Sequence, residues 1–271
     1  MPAASGPESW GWQGRTISRR VGDRWLRVVS QPLDKPTGRL WDGAAAADAS
    51  LPRTIPRPRL LDVIDWTAGG HRYRAELSEL VPWPVLQRGG PVLEREADLP
   101  DVWWAELRAA LTTLATVSTD RVSVRQGWID RNFATYLGIP PIQITAWVTG
   151  HADLHWANLC ADHLAVLDWE SWGAVPAGYD TGLLHAYSLT VPVTAARIRR
   201  TFAHILDTPA GRTGELVALA QLLQVAARGG HPELAPQLAR RAEQLTGAPV
   251  PSSHPEHHHG LGQLAVAKSP S

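Results

Sequence analysis

The chain has 271 residues, with 26 basic and 26 acidic side chains and a formal net charge of zero. That length fits one large or two small domains with a sizeable core. The neutral balance, with basic residues scattered and clustered only in short pairs such as Arg19-Arg20 and Arg240-Arg241, excludes a global field that would draw the chain to nucleic acid or anionic membrane.

Cys160 is the sole cysteine, so an intramolecular disulfide is excluded. No apolar run reaches the roughly 18–20 residues of a membrane span. The first residues lack the charged and apolar regions of a signal peptide. A soluble, cytoplasmic protein is expected, with no nucleic-acid and no membrane partner.

In chain order, residues 1–14 hold Pro, Gly and Ser and are expected to form a flexible arm. From Arg15 to Ser30 two β-favouring runs flank Gly22-Asp23, which predicts a hairpin. Leu40 to Ser50 is Ala-rich and predicts a short helix. Pro52, Pro56 and Pro58 impose an extended connector. Leu60–Trp66 and His71–Val81 predict two more strands around Gly69-Gly70. At Asp101 the period changes: Trp104, Leu107, Leu111 and Leu114 mark a helix to Val117, with Asp101 as its N-cap. A second helix is expected over Arg121–Leu137 and a short strand over Ile142–Val148.

Next comes the most informative stretch, His151-Ala152-Asp153-Leu154-His155-Trp156-Ala157-Asn158. It puts an Asp and an Asn in one expected loop. The apolar run Leu164–Leu167 is expected to be a strand delivering Asp168, ahead of Trp169-Glu170. Phosphoryl transfer from a magnesium nucleotide needs such an inventory: one carboxylate for the acceptor hydroxyl, and an Asn and an Asp to hold magnesium on the phosphates. A competing reading takes His151, Asp153 and His155 as zinc ligands of a hydrolase. Trp169–Gly178 is expected to be a loop. Helices are expected from Asp180 to about Thr190 and over Pro192–Ile205, Thr213–Arg228 and Pro232–Leu245. The tail, residues 247–271, is expected to be disordered, with His254, His257, His258 and His259 as incidental metal binders at most.

The pattern H-x-D-L-H-x-x-N followed by an apolar run and D-W-E resembles the aminoglycoside and choline phosphotransferase branch of the protein-kinase-like fold. The match is specific over about Thr149–Tyr187, with Ala152 where the family usually has Gly. The resemblance implies an α+β, two-lobed protein-kinase-like fold: a small N-terminal β-rich lobe over residues 15–84 that covers the nucleotide, and a helical C-terminal catalytic lobe over 85–246. It implies Asp153 as catalytic base, Asn158 and Asp168 as magnesium ligands, and ATP and Mg2+ as cofactors. Leu80-Val81 then lies at the hinge that holds adenine. His151 and His155 support the loop, Glu170 supports the metal or caps, and Asp180 holds the catalytic loop.

Two parts of the family pattern are missing. There is no Gly-rich loop, and no Lys stands on the central strand, since Lys35 and Lys268 are the only lysines. Arg27 occupies the corresponding position and keeps the positive charge with a different shape; Lys35 is the other candidate for the phosphates. Asp42 and Asp48 are the only acids in the Ala-rich helix that could partner Arg27. The expected function is therefore an ATP- and magnesium-dependent phosphotransferase acting on a small-molecule hydroxyl. The alternative is a catalytically impaired nucleotide-binding relative. Seven arginines against five acids between Asp180 and Gly247 do not favour a polycationic acceptor.

Overall fold

The structure, a computed structural model, describes residues 4–10 and 16–251. The tail histidines from His254 to His259, and residues 1–3 and 11–14 of the expected arm, lie outside that range.

Five antiparallel strands form the first layer: β1 (Ala4–Trp10), β2 (Thr16–Val21), β3 (Arg24–Pro32), β4 (Leu60–Ala68) and β5 (His71–Glu79), in the order β1-β2-β3-β5-β4. β1 stands where a flexible arm is expected: it pairs with β2, bringing Trp10 opposite Ile17. Both expected hairpins form. Gly22-Asp23 joins β2 to β3, and Gly69-Gly70 joins β4 to β5 with both glycines at positive φ (53° and 76°), the geometry a two-residue turn demands. Strands β3 and β5 lie side by side in the middle of the sheet, so Arg27 faces Glu76 directly.

A short helix, α1 (Gly43–Ser50), leaves the sheet and seats on the second layer. A Cβ on Gly43 would fall 2.2 Å from the Glu170 carbonyl oxygen, and Trp172 Nε1 donates to the Gly43 carbonyl at 3.0 Å.

The second layer is helical. α2 (Asp101–Ala115) buries Trp103, Trp104, Leu107, Ala110 and Leu114 on one face. Asp101 is the first helical residue, not the cap: Pro100 stands at the N-cap, and the Asp101 carboxylate pairs with Arg197 instead. α3 (Gln126–Leu137) presents Ile129, Phe133 and Leu137 at helical spacing and stops at Gly138, whose φ of 68° is the left-handed form that ends helices. It begins later than the sequence suggests, because Arg121, Ser123 and Val124 spend their backbone bonds on Ala174.

β6 (Trp147–Gly150) is shorter than the expected strand, and it pairs with β7 (Gly173–Pro176) inside the segment expected to be loop. Flanking Gly and Pro hide β7 in the sequence. Behind this ladder lie α4 (Tyr179–Ala186), α5 (Pro192–Thr201), α6 (Ala203–Leu206), α7 (Pro209–Ala227) and α8 (Ala235–Thr246). The helix expected over 192–205 is thus two helices. α7 starts four residues early, capped by the Thr208 hydroxyl, which accepts from Gly211 N at 2.9 Å. α4 and α7 approach closely because Gly182 brings α4 against the Glu215 backbone. Among the described residues no helix is long and apolar enough to cross a membrane.

Candidate active site

The β6–β7 ladder pairs Gly150 with Gly173. Residues 151–172 therefore form one loop closed at its neck, and Asp153, Asn158, Asp168 and Glu170 all lie within it. Asp180 secures the entrance: its carboxylate accepts from His151 N at 2.6 Å and Ala152 N at 2.9 Å. Gly150 allows this, since a Cβ there would meet the Asp180 carboxylate at 2.7 Å. Ala152 adopts φ 67°, a left-handed conformation that costs a non-glycine residue about 1–2 kcal/mol.

The loop is clasped internally at Leu167. Its N–H donates to the Asn158 carbonyl at 2.8 Å, and its carbonyl lies 2.8 Å from His151 Nε2. His151 Nδ1 accepts from Asp153 N at 3.3 Å, so the ring is the neutral tautomer with its proton on Nε2. Burial, outweighing Asp180 and Asp153, keeps its pKa below the ordinary histidine value. Both ring nitrogens are committed, which rules His151 out as a zinc ligand; among the described residues no three His, Cys, Asp or Glu side chains are arranged to hold a metal.

The strand expected over Leu164–Leu167 does not form. Instead the run folds back on Asn158–Cys160 in a single antiparallel bridge, Leu159 with Val166, flanked by Leu167 N to Asn158 and Cys160 N to Ala165, while Val166 N turns outward to the Pro56 carbonyl. Asp168 then turns out of line at φ 59°. That turn, directly after the clasped residue, points Asp168 into the same cleft as Asp153 and Asn158. Asn158 Nδ2 donates to the Asp153 carbonyl at 3.0 Å, which leaves the amide oxygen for the cleft. Asp168 accepts no hydrogen bond among the described residues. An amide oxygen and an unpartnered carboxylate are the hard donors that a magnesium ion takes, so this pair fits such an ion.

His155 stands beside this pair. Its Nε2 is 3.5 Å from Asp153 Oδ2 and 3.2 Å from Asn158 Nδ2. Burial opposes the charge on Asp153, but His155, His151 and the Asn158 amide together hold its carboxyl below the usual carboxylate range. Asp168 and Glu170 move the other way. Burial raises both, Asp153 adds to each and Asp168 adds to Glu170, and Arg27 only partly offsets this.

Arg27 points from β3 into the cleft and bridges the two layers. It donates to Glu76 at 2.9 Å and also pairs with Glu170 across the cleft. Burial opposes its charge, yet Glu170, Asp168 and Glu76 hold its pKa above the ordinary guanidinium value. The expected partners are corrected: Asp42 pairs with Arg121, and Asp48 with Arg57 and Arg59. In this structure Glu170 is a partner of Arg27. Glu76 was missed, because it meets Arg27 only through the pairing of two separate hairpins. Leu80 and Val81 line one end of the cleft, next to Val85, which pairs with Cys160. Lys35 lines the cleft as well. Burial pushes the Cys160 thiol up to about 11, and it packs in the core as an inert side chain. The whole cleft, about 1330 Å³, has room for a nucleotide and an acceptor.

A small antiparallel sheet over a helical body, with a cleft between them and a clasped loop at its floor, defines the two-lobed protein-kinase-like fold. Solved structures bear this out. A thermostable mutant of aminoglycoside phosphotransferase APH(4)-Ia superposes with a TM-score of 0.57 at 15% identity, over 90% of this chain and 94% of that one. A choline/ethanolamine kinase family protein from Mesorhizobium loti gives 0.55 at 15% identity, over 91% and 90%. Amicoumacin kinase hAmiN, in complex with AMP-PNP and Ca2+, gives 0.52 at 14% identity, over 89% of each chain. At these identities the likeness is one of fold. No family model matches the sequence, and no curated protein does.

Proposed function

We propose that the protein is a cytoplasmic phosphotransferase that uses ATP and magnesium to phosphorylate a hydroxyl of a small molecule. The observation that carries this reading is the clasp at Leu167, which holds Asp153, Asn158 and Asp168 on one wall of one cleft. The fold neighbours bound to AMP-PNP support nucleotide as the donor.

Asp153 orients the acceptor hydroxyl and takes its proton as the oxygen attacks. Its depressed pKa keeps it ionised and ready to accept. Asn158 and Asp168 would hold magnesium, which supplies charge neutralisation on the phosphates when bound. Arg27 faces the phosphates from the sheet; Glu76 fixes its fork, and Glu170 releases it as nucleotide enters. Leu80 and Val81 border the adenine end. His151, His155 and Asp180 position the loop without touching substrate.

Purified protein with Mg2+, ATP and a panel of hydroxylated metabolites is the test. Asp153→Ala should lower kcat by about 10²–10⁴-fold while nucleotide affinity survives. Equal turnover in that variant removes the assigned base. Asn158→Ala should raise the magnesium concentration needed for half-maximal rate.

A second reading, nucleotide binding without turnover, is favoured by one feature: Arg27 is already engaged by two carboxylates. It predicts nucleotide protection against melting, with no phosphate transfer to any acceptor.

A further inference from the structure

Four basic side chains line the cleft: Arg27, Lys35, Arg39 and Arg57. Arg27 is matched by Glu76 and Glu170, and Arg57 by Asp48. Arg39 is not matched. Its guanidinium donates to Ser123 Oγ at 3.2 Å, to the Ser171 carbonyl at 2.7 Å and to the Ser123 carbonyl at 3.4 Å. All three acceptors are neutral, and no carboxylate pairs with it among the described residues. Lys35 has no acid partner among them either.

The surroundings make this costly. Arg121 donates to the Arg39 carbonyl and lies over the Trp172 ring. Burial first, then Arg121 and Arg125, push the Arg39 pKa below its ordinary value. Asp42 pairs with Arg121 and Glu170 offsets part of the repulsion, but neither bonds Arg39, and a half-buried guanidinium without a paired carboxylate is stabilised by an arriving anion. Its place in the cleft fits an acceptor subsite. Arg39 is fixed to Ser123 and Ser171, beyond Glu170, whereas Leu80 and Val81 belong to the segment that pairs near Cys160. Asp153 lies on the floor of the same cleft.

We infer that the acceptor carries an oxyanion, a carboxylate or a phosphate ester, which pairs with the fork of Arg39 while its hydroxyl reaches Asp153. This rests on the phosphotransferase reading for the fate of the hydroxyl, but not for the anion subsite. In the transfer, the acceptor oxygen bonds the γ-phosphorus as the bond from that phosphorus to the β–γ bridging oxygen breaks. The electron pair stays with the departing ADP, and the hydroxyl proton passes to Asp153. A polycation would meet Arg39 and Lys35 and be repelled.

Titration calorimetry on the full chain tests this with matched probes: gluconate against gluconamide, glucose 6-phosphate against glucose, and kanamycin as the polycation. The oxyanion should bind at least about tenfold more tightly than its neutral counterpart, the gain expected of one charge-assisted hydrogen-bonded pair. The gluconate and glucose 6-phosphate arms decide between carboxylate and phosphate. Arg39→Gln should close the gap, and Arg39→Lys should restore part of it; the comparison within the unaltered protein does not depend on either variant folding. Equal binding of charged and neutral members, no binding of either oxyanion, or preference for kanamycin overturns the inference. So does loss of Mg-AMP-PNP affinity in Arg39→Gln with the gap unchanged. If the oxyanion binds through Arg39 but receives no phosphate from MgATP, the phosphotransferase reading falls and the anion subsite stands.

Discussion

The sheet and the helical body each contain a buried glutamate, and the two are used in opposite ways. Glu215, on α7, is fully buried. It accepts from Arg241 at 2.8 and 2.9 Å, from Arg199 at 3.2 Å, and lies 2.8 Å from His185 Nδ1. Those partners come from α4, α5 and α8, so one carboxylate ties four helices together. Glu76, on β5, is 4% exposed and serves one partner, Arg27, with its second oxygen buried and without a bond. The apolar core differs in the same sense. In β2 to β5 Val29 is the only buried apolar residue, while the body buries many. The body is built for stability, and the sheet is built to aim an arginine.

That contrast can be broken in four places. Phe133, which has no exposure, anchors α3 in the body. Phe133→Ala should cost about 3–5 kcal/mol in chemical unfolding. A loss as small as that of a surface substitution would remove the claim that the body carries the stability.

Glu215→Gln comes next. Burial opposes its ionisation, but His185 and Arg241 hold the carboxyl at about 2. A depressed folded-state pKa stabilises above the unfolded value and is lost as pH falls toward the folded one. The contribution is therefore full above about pH 4.3 and disappears on the way to pH 2. The variant should lose roughly 3 kcal/mol at pH 7 and show a flatter acid limb between those values. An unchanged acid limb would show that the cluster does not depend on this charge.

Glu76→Gln should do the reverse. Its stability cost should be only about 1 kcal/mol, while the apparent nucleotide KM rises because Arg27 loses its brace. If stability falls and KM does not, the sheet glutamate is structural too and the contrast collapses. The smallest effect is a gain: Ala152→Gly relieves the left-handed backbone and should add about 1 kcal/mol in melting experiments.

The loop to which we assign the chemistry is legible because its residues are close in sequence. Asp153, Asn158 and Asp168 were found from spacing and residue type. The hairpins were legible from Gly22-Asp23 and Gly69-Gly70, and α2 from its apolar period. What could not be read depends on contacts between distant segments. Arg27 meets Glu76 across two hairpins and Glu170 across the cleft. Arg39 sits in a turn whose composition carries no signal, and its lack of a carboxylate partner emerges only once Ser123 and Ser171 surround it. The run before Asp168 is expected as a strand and forms only a one-pair bridge: its apolar composition looks extended, but does not say that Val166 N bonds Pro56 while its neighbours bond the segment Asn158–Cys160.

The paired glycines at 150 and 173 have a further consequence. A chain drawn tight at that neck behaves as a cartridge, fastened by Asp180 on one side and by Arg27 and Arg39 on the other. On the proposed anion subsite, redirecting the protein toward a different acceptor calls for exchange of the segments around Arg39 and Ser123, with the neck and its anchor left in place.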